Sequence, residues 1–262
     1  MQPYNETVPM EFTRALLAQA RARGLDVDAV LQAARFPFDP LTREMQTVFV
    51  SREHYSRLCV ELFRAIGDES GGIMPDVLTP PGTMRLIALS MLNSRTLAAG
   101  LRRAIEFNAV CRVRQDIPLV NHVEVDSERK EATLVYLSGD HSPPTQHGVL
   151  CGLAMWLRFC GWLIGQHIDI MQAHCAGPQP EFMAGIRHFF PCPVSYNHSV
   201  NSVTFSARHL DATISRSEEE LEAFLRLAPY HIVIDPLAST LGITHRIREI
   251  LGDDFLREMP SF

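Results

Sequence analysis

The sequence predicts an α+β fold: a mostly helical N-terminal part, then a small antiparallel or mixed sheet packed on a long buried central helix. Three observations carry this. Apolar residues recur at helical spacing through most of positions 7–112. Runs rich in β-formers then replace that period, at 119–125 and 132–137. After them comes GVLCGLAMWLRFCGWLIG, residues 148–165, apolar but for Arg158 and too long for a strand.

The elements follow in order. Met10, Leu16, Leu17 and Ala20 mark a helix over 7–23, which Gly24 stops. Asp26 caps a second helix that ends near Arg35, before Pro37. Ser51 opens a third by reaching toward His54, where an ideal capping box has Glu or Gln, with Leu58, Leu62, Phe63 and Ile66 as its stripe. Residues 67–81 are a turn-rich connector and 82–94 are helical again. An amphipathic helix over 96–112 is expected to turn Leu97, Leu101, Ala104, Ile105 and Val110 inward. The two β-rich runs flank the polar stretch 127–131 and read as a hairpin. The central helix over 146–165 comes next, followed by a strand at 168–174, a helix at 180–190 and short strands near 194–196 and 202–205. Glu218, Glu219 and Glu220 suit the start of a helix over 217–227, because acids favour the positive helix end. A last helix is expected over 237–251, and the segment 229–236 is the best domain boundary.

The 262 residues are 46% hydrophobic and 21% charged, with a net charge of −6. A disordered chain needs the opposite balance, so that class is excluded. So are collagen-like and disulfide-scaffold chains, given 15 Gly, 17 Pro and 6 Cys. A net acidic chain is also a poor match to DNA phosphate. The start lacks a signal-peptide pattern, and the cysteines form no CxxC pair, which fits reduced thiols in the cytosol. Residues 148–165 could be mistaken for a membrane span. A central Arg costs roughly 2.5–3.5 kcal/mol there, and flanks with Asp140, His141, His167 and Asp169 give no positive side, so no membrane partner is expected.

The fingerprints of nucleotide, zinc-protease, hydrolase and haem sites are absent. The His/Cys-rich region 141–198 holds His167, His174, Cys175, His188 and Cys192, all zinc-ligand types. None forms a close pair with ligand spacing, and adjacent residues on a strand, such as His174 and Cys175, face opposite ways. Asp140, His141 and Ser142 are triad residue types, but a triad is assembled in space rather than along three consecutive positions. No metal, cofactor or catalytic residue is expected. Arg95, Arg102, Arg103, Arg112 and Arg114, opposed by Glu106, form a basic surface: a solvated helix face, a partner-domain contact or an approach to DNA.

Arg158 is the most informative residue, since a charge in an apolar helix must be paired or face a cavity. It fits either a structural salt bridge or an anion anchor in a ligand site walled by Met155, Trp156 and Trp162, with Tyr136 and His147 as secondary contacts. Met155, Arg158 and Trp162 share one side of the helix, and Trp156 lies about 100° away from Met155. Glycines at 148/152 and 161/165 would admit a closely packed element.

Three segments carry a resemblance: PGTMRLIALSMLNSRTLAAGLRRAIEF (81–107), GIRHFFPCPVSYNHSVNSVTFSARHLD (185–211) and ALLAQARARGLDVDAVL (15–31). Together they resemble the N-terminal regulatory domain of AraC/XylS-family bacterial transcription regulators, in the subgroup with an arabinose-binding-like sensor. The resemblance implies a cytosolic, non-enzymatic protein that binds a small-molecule effector and forms a homodimer, with Cys192 at a family-typical buried position. THRIREILGDDFLREMPSF (244–262) resembles the start of the family's helix-turn-helix domain. It implies a sensor and dimerisation domain over 1–230, then a linker and first helix of a truncated DNA-binding domain over 231–262, with DNA contacted only through the missing part. A small-molecule-modifying enzyme using 141–198, or a ligand-free oligomerisation module, are the alternatives.

Overall fold

A computed structural model describes residues 7–42, 49–71, 79–112, 121–137, 142–179 and 189–234. The expected helices at 180–190 and 237–251 lie wholly or mainly outside these residues, as do Arg114, Asp140, His141 and His188.

The first described residues form a short strand, β1 (Thr7–Pro9), and not the first turn of a helix as the spacing predicts. Its partner is β2 (Phe49–Ser51), antiparallel, with Val8 opposite Val50. Helices α1 (Met10–Ala22), α2 (Val27–Ala33) and α3 (Arg52–Ile66) pack beside this ribbon. The expected caps form: Asp26 accepts from the Ala29 N–H at 3.0 Å and Ser51 from the His54 N–H at 3.3 Å. Leu17, Val30, Leu31, Leu58 and Leu62 make the apolar centre of this unit.

The body of the fold is α4 (Thr83–Leu92), α5 (Leu97–Arg112), the hairpin β3 (Asn121–Asp126) and β4 (Glu131–Tyr136), and the 22-residue α6 (Pro143–Ile164). Strands β5 (Gln172–His174), β6 (Val194–Ser195) and β7 (Asn201–Ser206) complete a five-stranded sheet of order β3-β4-β7-β5-β6. The sheet is antiparallel except at β5–β6, which makes it mixed. Cross-strand pairs put Ala132, Leu134 and Tyr136 of β4 on the same face as Phe205, Val203 and Asn201 of β7. That face packs under α6, joining Leu150, Leu153, Leu157 and Phe159 in one core. Helix α7 (Glu218–Arg226) starts with a complete capping box between Ser217 and Glu220. A π-helical turn, Tyr230–Ile234, follows it.

Two further sequence expectations change. Val110 is 75% exposed rather than inward, and the half-buried Phe107 takes its place against the core. The strand expected over 168–174 pairs only at Gln172–His174, because Ile168 and Ile170 are anchored by burial in the core instead of by a ladder.

Candidate functional site

Helix α6 starts at Ser142 with Pro143 in its first turn, where a missing N–H costs nothing. It ends at Gly165, whose φ of +64° supplies the left-handed C-cap. The helix meets the length and composition of a membrane span, yet most of its apolar surface is buried within the fold. Its half-buried residues include one stripe, His147, Cys151, Met155 and Arg158, with Gly148, Gly152 and Trp156 half-buried on the row beside it. At 100° per residue the four residues of the stripe fall within about 80° of arc, and at 1.5 Å per residue the stripe is about 16 Å long.

At the N-terminal end, His147 Nε2 lies 2.7 Å from the Pro178 carbonyl, and its ring meets Tyr196 edge-on at 6.4 Å. Burial pushes the Cys151 thiol up to about 12, with Cys175 raising it further and Arg158 pulling against them. Burial also raises the Cys175 thiol, and it raises the Tyr196 hydroxyl, helped by both cysteines. These thiols stay protonated at neutral pH, so they offer soft apolar surface, not nucleophiles. Among the described residues, no three of His, Cys, Asp and Glu converge as a metal site. His167 instead faces Asp169 at 3.2 Å, and His174 stacks on His198 at 4.2 Å between centroids.

Arg158 lies toward the other end. Its Nη1 donates to the Ile232 carbonyl at 2.7 Å and the Val233 carbonyl at 3.1 Å, and its guanidinium sits 4.7 Å from the Phe189 ring centroid. These main-chain contacts are partners that the sequence, which suggested a carboxylate salt bridge or an anion anchor, did not point to. Burial pushes the guanidinium down to about 10, which leaves it cationic at neutral pH. The residue therefore fastens the central helix to the segment that follows α7.

The structure divides the other expected ligand contacts. Met155 is on the stripe; Trp156 is half-buried on the row beside it, edge-on to Phe159 at 5.8 Å. Trp162 is buried one turn beyond Arg158, stacked on Phe224 of α7 at 4.2 Å, with Arg216 5.2 Å over its ring. Tyr136 is buried on the sheet face beside Asn201, under the N-terminal half of α6. There Asn201 donates to the Gln146 side chain and accepts from the Ala176 N–H at 3.0 Å. Cys175, Phe189 and Tyr196 face the stripe; the sequence marks Cys175 only as a metal-ligand type and the other two not as site residues, because the sheet and the β6 approach bring them there. Gly152 has nothing within 4 Å of where a Cβ would stand, so the close packing expected of the 148/152 pair is not made there. Cys192 is half-buried against the core.

Residues 24–214 match the family model described as the arabinose-binding domain of AraC transcription regulators, N-terminal. A search of curated protein sequences gives no match. Among solved structures the chain is similar to the crystal structure of the transcriptional regulator CdpR from Pseudomonas aeruginosa. The identity is 13%, the TM-score 0.43, and the match covers 97% of this chain and 73% of that one.

Proposed function

The chain belongs to the family of the arabinose-binding N-terminal domain of AraC transcription regulators, and from that membership we propose that it senses a small metabolite and passes the binding event on to transcription. It carries a regulatory sensor domain. The finer reading is that the effector lies along the α6 stripe, from His147 past Cys151 and Met155 to Arg158. DNA contact belongs to a separate helix-turn-helix domain of the regulator, consistent with a net charge of −6 here. The regulator works in the cytoplasm as a homodimer, without a cofactor or a catalytic step.

The stripe also bears on the class of effector. A sugar needs a dense set of hydrogen-bonding groups, because each buried hydroxyl left unpaired costs about 1–3 kcal/mol. The stripe offers polar groups at its ends, His147 with Tyr196 and Arg158, separated by thiol and thioether surface. An apolar body with polar ends fits this better than arabinose.

The observation that carries the reading is the tie between Arg158 and the carbonyls of Ile232 and Val233. The same turn reaches the N-terminal unit, where Tyr230 packs with Val8, Tyr55 and Cys59. An effector that engages the Arg158 guanidinium changes how firmly this turn is docked. A ligand shifts such an equilibrium only by its difference in affinity for the docked and undocked states. A thermal-shift screen of amino acids, polyamines, sugars and fatty acids tests this. A saturable rise in Tm that shrinks in Arg158→Met supports it, whereas a rise untouched by that change contradicts it.

A further inference from the structure

The outer side of α5 reads almost alike in both directions. Ala99, Arg103, Glu106 and Val110 fall within about 60° of arc at 100° per residue. Positions 99 and 110, and 103 and 106, are symmetric about the midpoint between Ala104 and Ile105. Beside them runs a shallow open trough of about 450 Å³, lined by Ser90, Asn93, Arg103, Glu106, Phe107 and Val110. The Ser90 carbonyl accepts from Arg103 Nη1 at 3.2 Å, which orients the guanidinium at the trough. Val110 is 75% exposed, and Leu86, one turn before Ser90 on α4, is 52% exposed.

We propose that a second copy of this chain docks on this face, its α5 antiparallel across a two-fold axis. A two-fold interface must be self-complementary, so it needs an acid and a base, and a large and a small side chain, at mirrored positions. This face has both. Arg103 of each copy meets Glu106 of the other, forming the same ion pair twice. Val110 of each copy lies over Ala99 of the other, whose single methyl lets the helices approach closely. Glu106 in the middle of the face sets the same surface against a nucleic-acid partner, since it would oppose phosphate. The inference rests on the homodimer reading above and deepens it by assigning the surface, and it is independent of the sensing site, because none of its residues lies on the α6 stripe.

Sedimentation velocity on the chain and three variants tests it, with circular dichroism to check folding. The wild-type chain is expected to dimerise at high micromolar concentration. Glu106→Arg and Arg103→Glu each place like charges together twice and should weaken the dimer by roughly tenfold or more. The double variant, Arg103→Glu with Glu106→Arg, restores both pairs in reverse and should recover most of the affinity. Arg103→Glu also removes the Arg103–Ser90 bond, which the double variant does not restore, so recovery reports the charge pairing and not that contact. A monomeric wild-type chain, a dimer indifferent to either single change, or a double variant that fails to recover overturns the proposal. Metabolite-induced thermal shifts should persist in the single variants, so failure here and failure of the sensing proposal are separable.

Discussion

Replacing Arg158 by Met keeps most of the side-chain volume and removes the donors to Ile232 and Val233. Hydrogen bonds from a charged donor contribute about 1.5–3 kcal/mol each. The site is half-buried, so the released carbonyls regain some water. Two such bonds at the low end come to about 3 kcal/mol, and the regained water brings this to about 2 kcal/mol less holding the Tyr230–Ile234 turn, or roughly a 30-fold rise in its undocked population. Hydrogen exchange read by mass spectrometry is the direct assay. Amides of the turn should exchange about that much faster, while β7, which is hydrogen-bonded on both sides, should not change. Arg158→Lys keeps the charge but loses the planar fork, and should fall between wild type and Met. Unchanged exchange at the turn refutes the reasoning, and so does an equal acceleration throughout, which makes Arg158 an ordinary stabilising residue.

Phe224→Ala should be costly, because this buried ring stacks on Trp162 and also meets Phe159 at 5.8 Å and His231 at 5.5 Å. A loss of about 3–5 kcal/mol is expected, read as a Tm fall on the order of 10 °C. Asn201→Ala leaves the Ala176 N–H and the Gln146 amide without their partner in the core, and should cost about 2–3 kcal/mol in urea unfolding. Stability should also fall in acid. Burial lowers the pKa of His209, with Arg208 adding to the effect and Asp169 opposing it, and burial then His198 lower that of His174. Both bind protons more readily when unfolded, so their contribution is complete above pH 6.5 and is lost as the pH falls from there toward the depressed folded values. His209→Gln should flatten that part of a Tm-against-pH curve, and an identical curve would remove His209 from the account.

Features set by neighbours in the chain were legible in the sequence. Asp26 and Ser51 cap their helices as read, and the acidic start at Glu218–Glu220 opens its helix as read, since such features need partners only two or three residues away. The apolar run that makes α6 and the hairpin across Lys130 are also local patterns. Long-range pairing is what stayed hidden. Thr7–Pro9 fits a helical period until Phe49–Ser51 arrives to pair with it. Val110 keeps the spacing of an inward residue, but the core is already filled by Leu101, Ala104 and Phe107. Arg158 stood out as a charge in an apolar run, which is enough to mark it and too little to name its partners, 74 and 75 residues away. Trp162 illustrates the limit of a wheel diagram. It shares a side with Arg158, yet α7 covers it.

The most direct test of coupling is hydrogen exchange with and without the strongest hit from the amino acid, polyamine, sugar and fatty acid panel, at a saturating concentration. Two changes are expected in the wild-type chain: slower exchange along α6 around Cys151 and Met155, and altered exchange at Tyr230–Ile234, with the second lost in Arg158→Met. Protection confined to α6, with the turn unaltered in the wild-type chain, would contradict the coupling.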